Sequence, residues 1–387
     1  MLPVVPQLNT KLKELSRQIQ ERGNIFSGTF RPEVFAAIKH YLLLLNSFYT
    51  NGMEGNPSRL KDIEEALKKN FSSDKRLRNA QKEHLAHIHV ENKMTARLDE
   101  ESNLSVCSVE FLCWIHNEFY SQLPEEMRFT LTESGKAVPL VPGGIRDRGV
   151  SVGRHEQAPI SKVEVVNALK EFEALLDPTR IEESKKVLAW ASSHHRLLWI
   201  HPFADGNGRV ARLFSRAYKY KLGIDRDGFW SVNRAFARNR MEYDRHLAVA
   251  DNPREGDLDG RGNLSERCLR IFCEYFLEAA LDQMDYMNSI LQLEAFESRY
   301  SVFLDGEIKM KKLSKKERKV LDYLILKGKL PRGEVQKIAG VKARQATNII
   351  RDLLVNDYAT SNPQADHRGE LFFHLNSRAV KAMFPDL

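Results

Sequence analysis

Apolar positions recur at helical spacing through most of the chain. Val34, Ala37, Ile38, Tyr41, Leu42 and Leu45 fall on one helix face. Leu188, Ala191 and Leu198 do the same, and so do Phe272, Phe276, Ala279 and Leu281. The pattern predicts a mainly α fold over residues 32–304. Strand signals are sparse. The best is 138–152, where two short apolar runs flank Pro142-Gly143-Gly144 and Gly149, which predicts a hairpin. Residues 251–262 are rich in Gly, Asp and Pro and read as a loop.

The pattern changes near Lys309. Ser314 is placed to N-cap a helix over 315–327, with Val320, Leu321 and Leu324 inward and Gly328 ending it. A short helix over 332–339 turns at Gly340, and a third follows over 342–354. Two short strands then flank Asn362-Pro363 and Arg368-Gly369 between Tyr358 and Leu375. Three helices followed by a hairpin is the layout of a winged helix-turn-helix. The expected domains are a helical region over 1–108, a helical domain with a small β-hairpin over 109–305, and a winged helix over 309–387.

Charge sharpens that division. The 387 residues carry a net +7, yet residues 309–387 alone hold 17 Lys and Arg against 8 Asp and Glu. The basic character therefore belongs to the last domain. That suits a nucleic-acid or acidic-partner surface there, at Lys342, Arg344, Gln345, Asn348 and Arg351 with Lys329, Arg332 and Arg368. A solvated face on a regulatory module is the competing reading. The four cysteines (Cys107, Cys113, Cys268, Cys273) form no CxxC pair, so zinc is not suggested. Cys107 and Cys113 read as small buried hydrophobes, and the expected compartment is reducing, hence cytoplasmic. No secretory leader is legible, and no apolar run reaches the roughly 18 residues of a membrane span.

The informative string is His201-Pro202-Phe203-Ala204-Asp205-Gly206-Asn207-Gly208-Arg209-Val210-Ala211-Arg212. Two glycines bracket Asn207 just where a helical pattern begins, which makes an anion nest at a helix N-terminus. Arg209 and Arg212, three apart, add fixed cations that suit a polyphosphate. Asp205 is a single carboxylate beside phosphate-binding groups, which suits Mg²⁺. His201, at the end of an apolar helix, suits a general base. Phe203 reads as core. Each residue alone also has an ordinary role: tight turn, solvated face, helix cap or structural histidine.

Together they resemble the Fic (Fic/DOC) family pattern HxFx[DE]GNGRxxR, matched at all eight fixed positions. The likeness extends over about residues 30–280. Pro142-Gly143-Gly144-Ile145-Arg146 and Val150-Ser151-Val152-Gly153 resemble the family's target-aligning flap, and 190–200 resembles the helix before the motif. The resemblance implies a protein adenylyltransferase that moves AMP from ATP to a Ser, Thr or Tyr hydroxyl. His201 would be the base and Asp205 the Mg²⁺ ligand. Gly206, Asn207, Gly208, Arg209, Val210, Ala211 and Arg212 would bind ATP, with Arg212 on the γ-phosphate. Arg238, Asn239 and Tyr243 are the candidates for the adenine pocket. Intact Gly208 separates the chain from a phosphorylating branch that carries lysine there.

Upstream, Thr50-Asn51-Gly52-Met53-Glu54-Gly55-Asn56 resembles the family's inhibitory motif [ST]xxxE[GN]. That implies an N-terminal inhibitory helix in which Glu54 pairs with Arg212 and displaces the γ-phosphate. In some relatives this glutamate also positions water to remove AMP. The implied partners are a target protein, or the chain itself through hydroxyls such as Thr347 or Tyr358. A nucleotide-sensing transcription regulator acting through the winged helix is the alternative function. A degenerate interaction protein is a third, disfavoured by the intact motif.

Overall fold

A computed structural model describes residues 5–25, 30–131, 135–147, 149, 151–152, 155–156, 161–362 and 369–384. The chain divides into two compact units, one of residues 1–24, 43–226 and 230–284, the other of 25–42, 227–229 and 285–387.

The first unit is helical. Its N-terminal helix α1 (Thr10–Arg22) is capped by Asn9. The second half of α2 (Pro32–Met53) belongs here, with α3 (Leu60–Leu67), α4 (Lys75–Glu100) and α5 (Val109–Ser121). Asp74 and Ser108 cap α4 and α5 through the first-turn N–H groups. After a short hairpin region come α6 (Lys162–Leu176), α7 (Lys186–Ile200), α8 (Asn207–Lys221), α9 (Val232–Arg238), α10 (Arg240–Ala250) and most of α11 (Glu266–Leu291). Helix α7 is the centre: it packs on α6 and α8, and nearly every one of its side chains is buried. A helix buried on all faces sits inside a domain, and the polar Ser192, Ser193, His194, His195 and Arg196 of α7 are buried with the rest. The Trp190 indole N–H donates to the Ser215 carbonyl at 2.8 Å, tying α7 to α8.

The strand expectation over 138–152 needs correction. Strand β1 (Phe129–Leu131) pairs antiparallel with β2 (Ala137–Pro139), and β3 (Ser151–Val152) pairs with β4 (His155–Glu156). The two runs do not pair with each other. The intervening Pro-Gly-Gly segment spends its backbone donors elsewhere: Gly144 on Val141, Gly143 on His116, Arg146 on Pro202. Val150 and Gly153 lie outside the described residues.

The second unit contains the first half of α2, α12 (Leu293–Lys309), α13 (Lys315–Lys327), α14 (Val335–Ala339), α15 (Ala343–Val355) and α16 (Ser377–Met383). Ser314 and Glu317 form a capping box at α13, and Val320, Leu321 and Leu324 are fully buried. Gly328 and Gly340 end α13 and α14 with positive φ, as their sequence positions suggest. Strands β6 (Ala359–Ser361) and β7 (Glu370–Phe373) are joined by β5 (Lys329–Pro331) in the antiparallel order β5-β7-β6. Neither β5 nor α16 was evident in the sequence pattern. Pro363 and Arg368 lie outside the described residues. Tyr358 is buried and its hydroxyl donates to the buried Glu307 carboxylate, which removes it as an exposed modification site.

Candidate active site

The functional loop sits between α7 and α8. Helix α7 ends at His201, whose backbone turns left-handed (φ 51°). A non-glycine residue pays strain there, so its surroundings must hold it. Arg146 supplies the hold. Its guanidinium donates to the carbonyls of His201 at 2.6 Å and Ile200 at 3.1 Å, and its backbone N–H donates to Pro202 at 3.0 Å. A cation on the last carbonyls of a helix is also favoured by the helix dipole. Arg146 was legible only as part of the flap segment.

Phe203 is core, as expected, and its ring stacks on His116 with centroids 4.1 Å apart. His116 accepts the Gly143 N–H at Nδ1, 2.8 Å away, so Nε2 carries its proton toward the Asp205 carbonyl at 3.2 Å. Burial pushes this imidazole down to about 4, which keeps that neutral tautomer. Asn207 closes the turn on itself. Its side-chain oxygen accepts the Phe203 N–H at 2.9 Å and its amide donates to the Phe203 carbonyl at 2.8 Å. The Asn207 side chain is thus a brace, and only its backbone faces the nest.

Gly206 is the N-cap of α8 with φ 81°, and no side chain caps this helix. A Cβ at Gly206 would stand 2.7 Å from the Tyr120 hydroxyl, so glycine is required twice over. The first-turn N–H groups of α8 have no intrahelical acceptor, the ordinary condition of a helix start that binds anions. Asp205 is exposed beside them and accepts the Tyr120 hydroxyl at 2.8 Å. That single carboxylate fits a Mg²⁺ that draws its other ligands from phosphate and water.

Both arginines of the loop are buried. Arg209 donates through Nε to Asn51 Oδ1 and through Nη2 to Glu83, each at 3.2 Å, and lies 5.1 Å above the Phe119 ring. Arg212 donates through Nη2 to the Thr50 carbonyl at 3.1 Å and to the Glu54 carboxylate at 2.5 Å. Glu54 follows the last residue of α2. Burial pushes its carboxyl up, but the Arg212 and Arg209 charges outweigh that and hold it below the ordinary value. A Cβ on Gly208 would meet that same Glu54 oxygen at 2.5 Å. Glu54 therefore lies directly over the start of α8.

His201 is largely buried, and burial brings its imidazole down to about 4. Its Nδ1 lies 3.3 Å from the Leu198 carbonyl, which can only accept. Nδ1 therefore carries the proton and Nε2 the free lone pair. Val210 and Ala211 are buried in α8. Of the adenine-pocket candidates, Arg238 and Asn239 are exposed at the junction of α9 and α10. Tyr243 is core: its ring stacks on Phe236 and its hydroxyl meets buried His194 Nε2 at 2.8 Å. The neighbouring Arg240 guanidinium donates to the Met53 carbonyl at the end of α2.

A profile of the Fic/DOC family matches residues 106–218, spanning the loop with His116, Tyr120 and Arg146 but neither the α2 and α4 residues nor those of α9 and α10. Protein adenylyltransferase fic-1 of Caenorhabditis elegans is 35% identical over 117 residues, 30% of this chain and 22% of that protein. Protein adenylyltransferase Fic of Nematostella vectensis is 37% identical over 91 residues, 23% of this chain and 21% of that protein. The chain thus spans less than a third of these relatives' length. Among solved structures, a Fic family protein from Desulfovibrio desulfuricans G20 superposes with a TM-score of 0.56 at 14% identity, covering 97% of this chain and 99% of that one. A Fic domain containing signaling protein from Bacteroides thetaiotaomicron VPI-5482 gives 0.52 at 16% identity, over 71% of this chain and 97% of that one. At such identities the likeness is one of fold. The glycine-capped loop between α7 and α8, the profile over it and the shared fold agree: this chain carries a Fic/DOC family domain.

Proposed function

We propose that the chain is a protein adenylyltransferase that moves AMP from ATP onto a Ser, Thr or Tyr hydroxyl of a protein, restrained by Glu54. The observation that carries this reading is the convergence of a neutral His201, the exposed Asp205 carboxylate and the uncapped start of α8 on one rigid turn. His201 Nε2 takes the proton of the attacking hydroxyl. The hydroxyl oxygen bonds to the α-phosphorus as its bond to the bridging oxygen of the β-phosphate breaks, and pyrophosphate leaves. The α8 amides and the two arginines hold the phosphates in line for that displacement. Mg²⁺ on Asp205 supplies charge neutralisation to the polyphosphate when bound.

Glu54 supports the restraint. Its carboxylate occupies Arg212, the side chain that the γ-phosphate needs, so ATP meets an incomplete site. The test uses ATP labelled at the α- or the γ-phosphate, with the His201→Ala protein as control. Adenylyl transfer predicts α-label and no γ-label on protein, and neither label in the control. Retained γ-label, or α-label that survives His201→Ala, refutes the reading.

The second unit supports a further activity for a winged helix. Lys342, Arg344, Gln345, Asn348 and Arg351 are exposed on α15 and its N-cap, Arg351 beside Asp352. In the alternative function this face contacts DNA and the Fic domain reports nucleotide. Duplex binding that weakens steeply with salt and vanishes on Arg344→Ala supports it. Salt-independent or absent binding refutes it.

A further inference from the structure

The second half of α2 buries a polar stripe beside its apolar residues. Asn46, Ser47, Thr50 and Asn51 fall at helical spacing, and each is at most 8% exposed. Each has a partner on another helix of the same unit. Asn46 donates to Glu91 at 3.1 Å. Ser47 Oγ lies 2.9 Å from His84 Nδ1. Thr50 Oγ1 accepts from Asn233 at 3.0 Å. Asn51 accepts from Arg209. The resemblance to an inhibitory motif constrains Thr50, Glu54 and Gly55, and it leaves position 51 open.

Asn51 is held in one orientation. Its amide nitrogen faces three acceptors: the Ser47 carbonyl at 3.1 Å, Ser47 Oγ at 3.3 Å and His84 Nδ1 at 3.3 Å. Its oxygen faces the Arg209 Nε–H. The flipped amide would set N–H against the guanidinium and oxygen against oxygen, so the flip is excluded on hydrogen-bonding grounds. His84 must present a lone pair at Nδ1 for this to hold. It does, because Nε2 lies 3.2 Å from Asn56 Oδ1, whose own amide nitrogen donates to Ala80 and Glu83, so Nε2 is the donor.

We propose that Asn51 is a second arm of the brake, holding Arg209 while Glu54 holds Arg212, and that His84 is the positioning residue that aims the Asn51 oxygen. This rests on the adenylyltransferase reading. Both arms sit within four residues at the end of α2, so one displacement of that segment removes both holds and leaves Arg209 with Glu83 of α4. Removing Glu54 alone takes the carboxylate from Arg212, which keeps the Thr50 carbonyl, and Asn51 with Glu83 still engages Arg209.

The test measures ATP binding by calorimetry in proteins carrying His201→Ala, so that no turnover intervenes. Glu54→Gly is compared with Glu54→Gly/Asn51→Ala and Glu54→Gly/Asn51→Asp. The Ala variant is expected to bind ATP about fivefold more tightly than Glu54→Gly alone, and the Asp variant more weakly, since a carboxylate strengthens the hold on Arg209. His84→Leu is added to each. It is expected to tighten ATP binding where Asn51 is present and to leave the Asp variant unchanged, because a carboxylate needs no aiming. A structural role for His84 would shift both alike. Unchanged or weaker ATP binding on Asn51→Ala overturns the proposal. ATP binding to none of the variants overturns the adenylyltransferase reading instead.

Discussion

Converting Glu54 to Gly removes one carboxylate, and its effect follows from the geometry of one pair. The charges are 2.5 Å apart, with the Arg212 side chain 3% exposed and that of Glu54 30% exposed. Coulomb attraction at that separation is about 6–7 kcal/mol at an effective dielectric of about 20. Desolvating both ions offsets most of it, and the exposed side of Glu54 lets solvent screen the rest. A net hold of about 2–3 kcal/mol remains, in keeping with hydrogen bonds to charged groups. A γ-phosphate must overcome that hold before Arg212 serves it, so release corresponds to roughly 30- to 150-fold at one decade per 1.4 kcal/mol. The assay is α-labelled ATP incorporation by wild type, Glu54→Gly, Glu54→Gln and Glu54→Asp, with His201→Ala as the blank. Gly should show the full rise. Gln, which keeps one acceptor and loses the charge, should lie between. Glu54→Gly incorporating less than about threefold more label than wild type, with unchanged circular dichroism, would refute the reasoning.

Four further outcomes follow. Gly208→Ala should destabilise wild type more than Glu54→Gly, since the added Cβ meets the Glu54 oxygen at 2.5 Å in the first and only the movable end of Arg212, at 3.1 Å, in the second, while Ala is the better helix former; urea denaturation of the double-mutant cycle checks it, and equal effects in both backgrounds would count against Glu54 lying over α8. With His201 pushed down to about 4, the acid limb of kcat/KM should lie below about pH 5 rather than near the ordinary imidazole value of about 6.5. The unfolded chain takes up that proton first, so this group's contribution to stability falls as pH drops from about 6.5 toward about 4, a trend that acid titration by fluorescence will follow. Tyr243→Phe should cost about 1–3 kcal/mol by leaving buried His194 Nε2 without its partner, with ATP affinity unchanged by calorimetry; a weakened affinity would restore Tyr243 to the adenine pocket.

Local rules were the legible ones. Ser314 and Gly328 bound α13 at the expected residues, and Gly206 starts α8, because caps and positive φ depend on one or two residues. The sparse strands failed for the opposite reason. Residues 137–152 have too little alternation to name a partner, and tertiary donors and acceptors on α5 and the 200–202 segment decided the pairing. The same distance in sequence hides the second half of the site. Arg146, His116 and Tyr120 reach the loop from 55 to 89 residues away, and Asn51 and Glu83 from more than 120. The one available signal was in α2. Its apolar spacing runs on through Leu45, Tyr49 and Met53, and beside it Asn46, Ser47, Thr50 and Asn51 form a polar stripe at the same helical spacing. Glu54 was reached through family likeness, since nothing local to it names Arg212.

The two hydrogen bonds by which Asn207 ties its own loop to Phe203 bear on timing. A turn closed by its own side chain is assembled before any ligand arrives, so nucleotide pays no ordering cost on entry. Nothing has to fold for the site to work. On the proposed restraint, how quickly the protein answers a signal is set by how fast the end of α2 that carries Asn51 and Glu54 leaves, and resting and working states differ by an obstruction and share one scaffold.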